Sequence, residues 1–203
     1  MDTVIANRRP ELEGNLPPLL MVLMELISEV PAPRTTPVDN PVTEARRTVA
    51  SAARKTALVS GLAGLVPGPL GMLSIIPDML AVWRIQRQMV ADVAGLFGRA
   101  PALGPETMIA SLFKHSAAHA VRDLVVRTGQ KWIVRKASVK ALRAVLEKVS
   151  VRLAQRIAGR AMSRWLPFVG AAAVGAYAAY DTHQVGETAI ELFGREVAIE
   201  GAA

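Results

Sequence analysis

Two histidines and one aspartate at helical spacing are the residues of this sequence best suited to bind a metal ion. His115, His119 and Asp123 follow one another at four-residue intervals, so an α-helix would place all three on one face, one turn apart. A His pair of this spacing can chelate Zn²⁺ or another transition metal. The two histidines also lie at the edge of a predicted apolar stripe, where packed or hydrogen-bonded histidines are the commoner case. We therefore predict no metal and no cofactor, and keep the three residues as a weaker alternative.

The other reactive side chains do not match a catalytic motif. The chain has no cysteine, which excludes thiol catalysis, a disulfide scaffold and Cys-ligated zinc. Asp78 and Asp181 each follow an uncharged apolar segment, where a carboxylate complements a helix dipole or binds a cation or a partner arginine. Gly-x-Ser-x-Gly is missing, and the segment 61–64 lacks the Gly-Lys-Ser/Thr of a phosphate-binding loop. We therefore predict that the protein is not an enzyme.

Charge is distributed unevenly along the 203 residues, which carry a net charge of +7. Residues 122–164 alone contain twelve basic and two acidic side chains, and this block lies between two apolar segments. Such asymmetry is typical of a protein with an anionic partner, either lipid head groups or nucleic acid.

The basic block also has the periodicity of a cationic amphipathic helix. Leu142, Leu146 and Val149 begin an apolar stripe of period 3.6, and basic residues follow at four-residue intervals on one flank. A solvated face is one interpretation. We prefer contact with anionic membrane lipids, because nucleic-acid binding would usually show interleaved aromatics or a recognition motif. The residues predicted to make this contact are Lys148, Arg152, Arg156, Arg160, Arg164 and Trp165.

Tryptophans provide a second indication of an interface. Trp132 and Trp165 flank the basic block, where an indole ring can anchor a protein at a membrane surface. Trp83, in contrast, lies on a predicted apolar stripe and is expected to be buried.

Two uncharged segments predict apolar helical hairpins. Between Lys55 and Asp78 there are 22 uncharged residues, but Pro67-Gly68-Pro69 interrupts them, so one hairpin over 57–80 is favoured over a spanning helix. A second hairpin is predicted over 165–181, where a single tightly packed helix is an equally good interpretation. Small residues in both segments allow close helix contact. The hairpins either insert shallowly into lipid or pack in the protein core.

The remaining pattern predicts an all-α helical bundle. A short helix and a Pro-rich linker occupy 1–42, a helical domain occupies 43–195, and an acidic tail at 196–203 frays. Helices are expected over 43–65, 77–97 and 105–127, and residues 182–193 are expected to extend the helical segment that precedes them. The identical Leu-Phe-Gly-Arg segments at 96–99 and 192–195 predict two pseudo-repeated units.

Several segments resemble the EcsC family of bacterial helical proteins and the related helical domain of some bacterial GTPases. The resemblance covers about residues 43–195 and consists of Gly, Pro and apolar patterns. It implies an all-α domain with apolar hairpins that is associated with transporters and other membrane processes. It implies no enzymatic role and transfers no site residues. The segments that carry it are Leu65-Val-Pro67-Gly-Pro69, Ile76-Pro77-Asp78-Met79-Leu80, Ile85-Gln86-Arg87-Gln88-Met89-Val90, Leu96-Phe97-Gly98 and Trp165-Leu166-Pro167-Phe168-Val169-Gly170-Ala171.

Two functions of different kinds follow from these patterns. The first is a non-enzymatic protein on the cytoplasmic face of the cell membrane that binds anionic lipids or a membrane protein and assists a process such as transport. The second is a soluble helical interaction module that binds a partner protein or a lipid-like ligand. A metal-dependent enzyme built on His115 is a third and weaker alternative, and a homo-oligomer is compatible with each.

Overall fold

The structure, a computed structural model, describes Met24 and residues 29–65, 75–121, 124–128, 131–135, 137–161 and 167–199. The chain is all-α. Within these ranges there are five α-helices: α1 (Pro41–Gly64), α2 (Ile75–Leu96), α3 (Pro105–Val121), α4 (Val139–Ala161) and α5 (Pro167–Phe193). They are accompanied by a 3-10 helix (Ala100–Ala102) and three short strands, β1 (Val125–Thr128), β2 (Lys131–Val134) and β3 (Glu196–Ile199).

Capping residues explain where several helices begin and end. The side chain of Asn40 accepts a hydrogen bond from the Thr43 N–H at 3.3 Å, so Asn40 caps α1 and the helix begins two residues before the predicted start at 43. Gly98 has a φ of +65°, a left-handed backbone conformation that favours glycine. This conformation prevents α2 from continuing beyond Leu96. Ser138 accepts a hydrogen bond from the Ala141 N–H at 3.2 Å and marks the start of α4.

The most extensive packing in the described part of the chain joins α1 to α5 in antiparallel orientation. A Cβ atom added to Gly64 would lie 2.8 Å from the Cα of Ala171, and one added to Gly175 would lie 2.8 Å from the carbonyl oxygen of Ala57. Glycine is therefore required at both positions for the backbones to approach this closely. The expected close contact of small residues is present, but between helices far apart in sequence.

The predicted hairpin over 165–181 is wrong for the residues that the structure describes. Residues 167–193 form one continuous helix. Pro167 lies in its first turn, where proline is tolerated, and the glycines that follow do not interrupt the helix. Gly175 is tolerated inside the helix because it faces α1. The turn of the other predicted hairpin lies within 66–74, outside the described residues.

A small sheet replaces the predicted end of one helix and the beginning of another. Helix α3 stops at Val121, and β1 pairs antiparallel with β2, with Val126 opposite Ile133. Two residues separate these strands, and β-branched and aromatic side chains dominate both. Strand β3 pairs in parallel with β2, so Glu196–Ile199 is a strand rather than the frayed tail that we predict. Strands β1 and β2 form a local hairpin, whereas β3 gains its backbone partner only from the tertiary fold.

The Pro-rich segment is irregular, as the sequence predicts, but it lies against α2. The Arg34 N–H donates to Asp92 Oδ1 at 2.8 Å and the Val38 N–H to the Leu96 carbonyl at 3.3 Å. Gly95 allows this approach, because a Cβ there would lie 2.6 Å from Thr35 Oγ1. The segment is therefore part of the packed domain rather than a free spacer.

Candidate functional site

The C-terminal half of α1 exposes a row of large apolar side chains. Leu58 and Leu62 are each 67% exposed, and Leu65 is 44% exposed. They recur at spacings of four and three residues, so they lie on one face of the helix. We call these three residues the leucine row. Burial in the protein does not account for them, because the opposite face of the same helix forms the contacts with α2 and α5.

The N-terminal half of α1 exposes four cations, and all but Arg46 continue the face of the leucine row. Arg46, Arg47, Arg54 and Lys55 are all exposed, and Lys55 lies three residues before Leu58. We call these four residues the basic row. Arg47 pairs with Glu44 on the same helix, and Arg54 donates to the Ala50 carbonyl at 3.2 Å. The outer face of α1 thus changes from charged to apolar within one turn.

Two tyrosines of α5 lie at the level where this change occurs. The Thr56 hydroxyl is within 3.4 Å of the Ala178 carbonyl, which aligns that turn of α5 with the step between Lys55 and Leu58. Tyr177 and Tyr180 flank Ala178 and are 36% and 63% exposed. Tyrosine is enriched where apolar and aqueous phases meet, because its ring is apolar and its hydroxyl is polar.

Asp78 lies on the buried side of α1, opposite the leucine row, where it contacts Ser60. The carboxylate is 7% exposed and accepts a hydrogen bond from Ser60 Oγ at 2.8 Å. Asp78 and Asp181 have different partners, Ser60 for the first and Gln86 with His115 for the second. The Ser60 bond keeps a buried carboxylate hydrogen-bonded at the apolar end of the bundle.

Asp181 belongs to a polar cluster between helices α1, α2, α3 and α5. It accepts a hydrogen bond from Gln86 Nε2 at 3.0 Å, and its other oxygen lies 3.0 Å from His115 Nε2. The same Gln86 amide donates to Thr182 Oγ1 at 3.1 Å, and Thr182 shares a 3.0 Å hydrogen bond with Thr56. Such a network fixes the relative positions of four helices, because each buried polar group depends on the others.

The proposed metal ligands are only partly described. His115 uses Nε2 to contact Asp181 rather than a residue of its own helix, and its Nδ1 is buried without a hydrogen-bond partner among the described residues. Asp123 and the side chain of His119 lie outside the described residues. Among the residues that the structure does describe, no group of three His, Cys, Asp or Glu side chains is arranged to hold a metal.

The residues predicted to contact lipid are placed only in part. Lys148 is exposed on α4. The side chains of Arg152, Arg156 and Arg160, and all of Arg164 and Trp165, lie outside the described residues. Their role stays a prediction.

The two other tryptophans are buried. Trp83 is 6% exposed and packs edge-on against Phe113, with ring centroids 6.1 Å apart, which confirms its predicted burial. An interfacial anchor was one interpretation of Trp132, and it is wrong. It is 5% exposed, and Lys114 Nζ lies 4.4 Å from its ring centroid. The sheet pairing of β2 turns this side chain inward.

Sequence reasoning missed the leucine row as a surface and the polar cluster as a unit. The uncharged stretch after Lys55 was visible, but its exposed face was not, because Ser60 and Gly64 on the other face are equally uncharged. No described helix is long and apolar enough to cross a membrane. Comparisons with protein-family models, curated proteins and solved structures found no match to this chain.

Proposed function

We propose that the protein is a non-enzymatic membrane-associated protein that inserts the leucine row shallowly into an anionic bilayer surface. The observation that carries the proposal is the step on α1 from exposed cations to exposed leucines. A protein surface that contacts only water has no need for cations at one end and leucines at the other. An anionic bilayer matches this arrangement, because it presents anionic head groups above an apolar layer.

The dimensions of α1 fit this orientation. Leu58 and Leu65 are separated by about 10 Å along a helix with a rise of 1.5 Å per residue. Interfacial segments typically bury their apolar face about 5–10 Å into the head-group and acyl boundary. With the leucine row inserted, Lys55 lies at head-group level, and so do Tyr177 and Tyr180.

The expected binding energy is that of a reversible contact. Partial burial of three leucines contributes about 1.5 kcal/mol each, and each cation near an anionic surface adds about 1 kcal/mol. The cationic side chains of α4 add to this attraction if they face the same bilayer. We further propose that this membrane is the cell membrane, contacted at its inner face, and that the protein assists a process such as transport. The resemblance to the EcsC family is the basis for this part of the proposal.

Co-sedimentation of the full chain with vesicles tests the role of the leucine row. The vesicles contain phosphatidylcholine with phosphatidylglycerol, and the variant is Leu58→Gln/Leu62→Gln. We expect at least about tenfold weaker partitioning, because two apolar side chains no longer leave water. The thermal unfolding midpoint should be unchanged, since both side chains are largely exposed in the protein.

Val42→Gln is the matched control. Val42 is a 40% exposed apolar residue on the same helix, at the end opposite the leucine row, and its substitution should leave vesicle binding unchanged. Absence of vesicle binding by the unmodified protein would overturn the proposal. Equal losses in the control and the double variant would show that the position of the leucines does not matter.

The second function is an interaction module in which the leucine row binds an apolar surface of a partner protein. The exposed area supports it, because exposed apolar patches also mark protein interfaces. Binding to a partner in the absence of lipid, lost in Leu58→Gln/Leu62→Gln and kept in Val42→Gln, would favour this function over membrane contact.

A further inference from the structure

A cleft of about 550 Å³ lies between the irregular segment 29–40, helix α1 and helix α2. Its size is within the range of pockets that bind small molecules. The segment is held in place by side chains of α2: Gln88 Nε2 donates to the Ala32 carbonyl at 3.1 Å, and Arg87 donates to the Glu29 carbonyl at 2.9 Å. The cleft therefore has walls from three parts of the described chain.

Four cationic side chains line this cleft, with Asp92 as the carboxylate among its described lining residues. Asp92 Oδ1 already accepts hydrogen bonds from the Arg34 N–H at 2.8 Å and from Gln88 Nε2 at 2.9 Å. The bond to Arg34 holds the irregular segment against α2. The lining residues carry a net charge of +3, from Arg34, Arg47, Lys55, Arg84 and Asp92.

Most of these cations have no carboxylate partner. Arg47 pairs with Glu44, but no ion pair to Arg34, Lys55 or Arg84 occurs among the described residues. The cations of the cleft outnumber its one described carboxylate, and a concave surface of net positive charge attracts an anion. Ser51 adds a hydroxyl one helical turn from both Arg47 and Lys55.

We propose that this cleft binds a phosphate-bearing anion. Guanidinium groups donate paired hydrogen bonds to phosphate oxygens, and a lysine adds a compact positive charge. Lys55 belongs both to the cleft and to the turn before the leucine row, so a phospholipid head group can reach the site from the bilayer. A soluble phosphate ester offers the same chemistry. Only the lipid source depends on the function proposed above.

Titration calorimetry of the full chain with inorganic pyrophosphate tests the site. We expect saturable binding, and about tenfold or greater loss of affinity in Lys55→Gln/Arg84→Gln, because two charged donors are removed. The matched control is Arg46→Gln/Arg54→Gln, which removes the same charge from exposed positions of α1 that do not line the cleft. This control should bind nearly as tightly as the unmodified protein.

Competition distinguishes the two sources of phosphate. Release of the protein from phosphatidic acid vesicles by pyrophosphate, with no such response in Lys55→Gln/Arg84→Gln, supports a lipid head group. Pyrophosphate binding without release supports a soluble ligand. Leu58→Gln/Leu62→Gln should keep its pyrophosphate affinity, so failure of membrane insertion is separable from failure of the cleft. Absence of saturable binding, or equal weakening in both double variants, would overturn the site.

Discussion

The two halves of α1 have the same inner face but different outer faces. Toward the core, small residues continue along the whole helix, from Ala45 to Gly64. Outward, the N-terminal half carries the basic row and the C-terminal half carries the leucine row. Packing against α2 and α5 explains the uniform inner face, because every turn must fit between two neighbours. The same packing does not determine the outer face, and its change from charged to apolar side chains is the observation on which the proposed membrane contact rests.

Reversing the charge of three α4 cations should have the largest effect on vesicle binding. Arg152→Glu/Arg156→Glu/Arg160→Glu should abolish binding to anionic vesicles, since each cation near the surface is worth about 1 kcal/mol and its reversal adds repulsion. The measurement is vesicle co-sedimentation. It decides whether the basic row of α1 is sufficient for attraction or whether α4 contributes.

The control makes the same change in net charge away from residues 152–160, at Arg99 and Arg195 outside α4 and at Lys140 in the first turn of α4. This variant should keep most of its vesicle binding. Unchanged vesicle binding by the α4 variant would show that these three cations do not contact the bilayer. The attraction would then be assigned to the basic row of α1.

A substitution on the inner face should affect stability instead of vesicle binding. Gly175→Ala places a Cβ 2.8 Å from the Ala57 carbonyl oxygen and should lower the free energy of unfolding by about 1–3 kcal/mol. Gly61→Ala is the matched control, because its nearest neighbour across the helix contact is 3.8 Å away. There we expect stabilisation of up to about 1 kcal/mol, since alanine favours a helix over glycine. Urea unfolding measures both, and a stable Gly175→Ala would contradict the close approach of α1 and α5.

The smallest expected effect concerns the polar cluster. Thr182→Val removes the hydrogen bonds to Thr56 and Gln86, but both keep other acceptors, so we expect a loss of about 1 kcal/mol in the free energy of unfolding. Thr188→Val, which removes only a bond to the Gln184 carbonyl of the same helix, should cost less. Equal effects of the two substitutions would show that the cluster does not couple the helices.

The helices and their inner faces were predictable because they depend on local periodicity. The spacing of Trp83 on an apolar stripe predicted its burial correctly, and Pro and Gly placed several helix ends within a few residues. Trp132 was predicted wrongly because its neighbours Lys131 and Arg135 indicate an interface. Its environment is decided by the pairing of β2 with β1 and β3, and β3 is more than sixty residues away.

The sequence by itself determined the all-α class, because apolar residues repeat at helical spacing through most of the chain. It also determined which segments lack charge. Only the tertiary structure decided that His115 meets Asp181, that Arg34 and Arg84 line one cleft, and that Leu58 and Leu62 stay in solvent. The physical reason is that periodicity assigns a residue to a face of its own helix. Which neighbour covers that face, and which face remains uncovered, depends on contacts between residues distant along the chain.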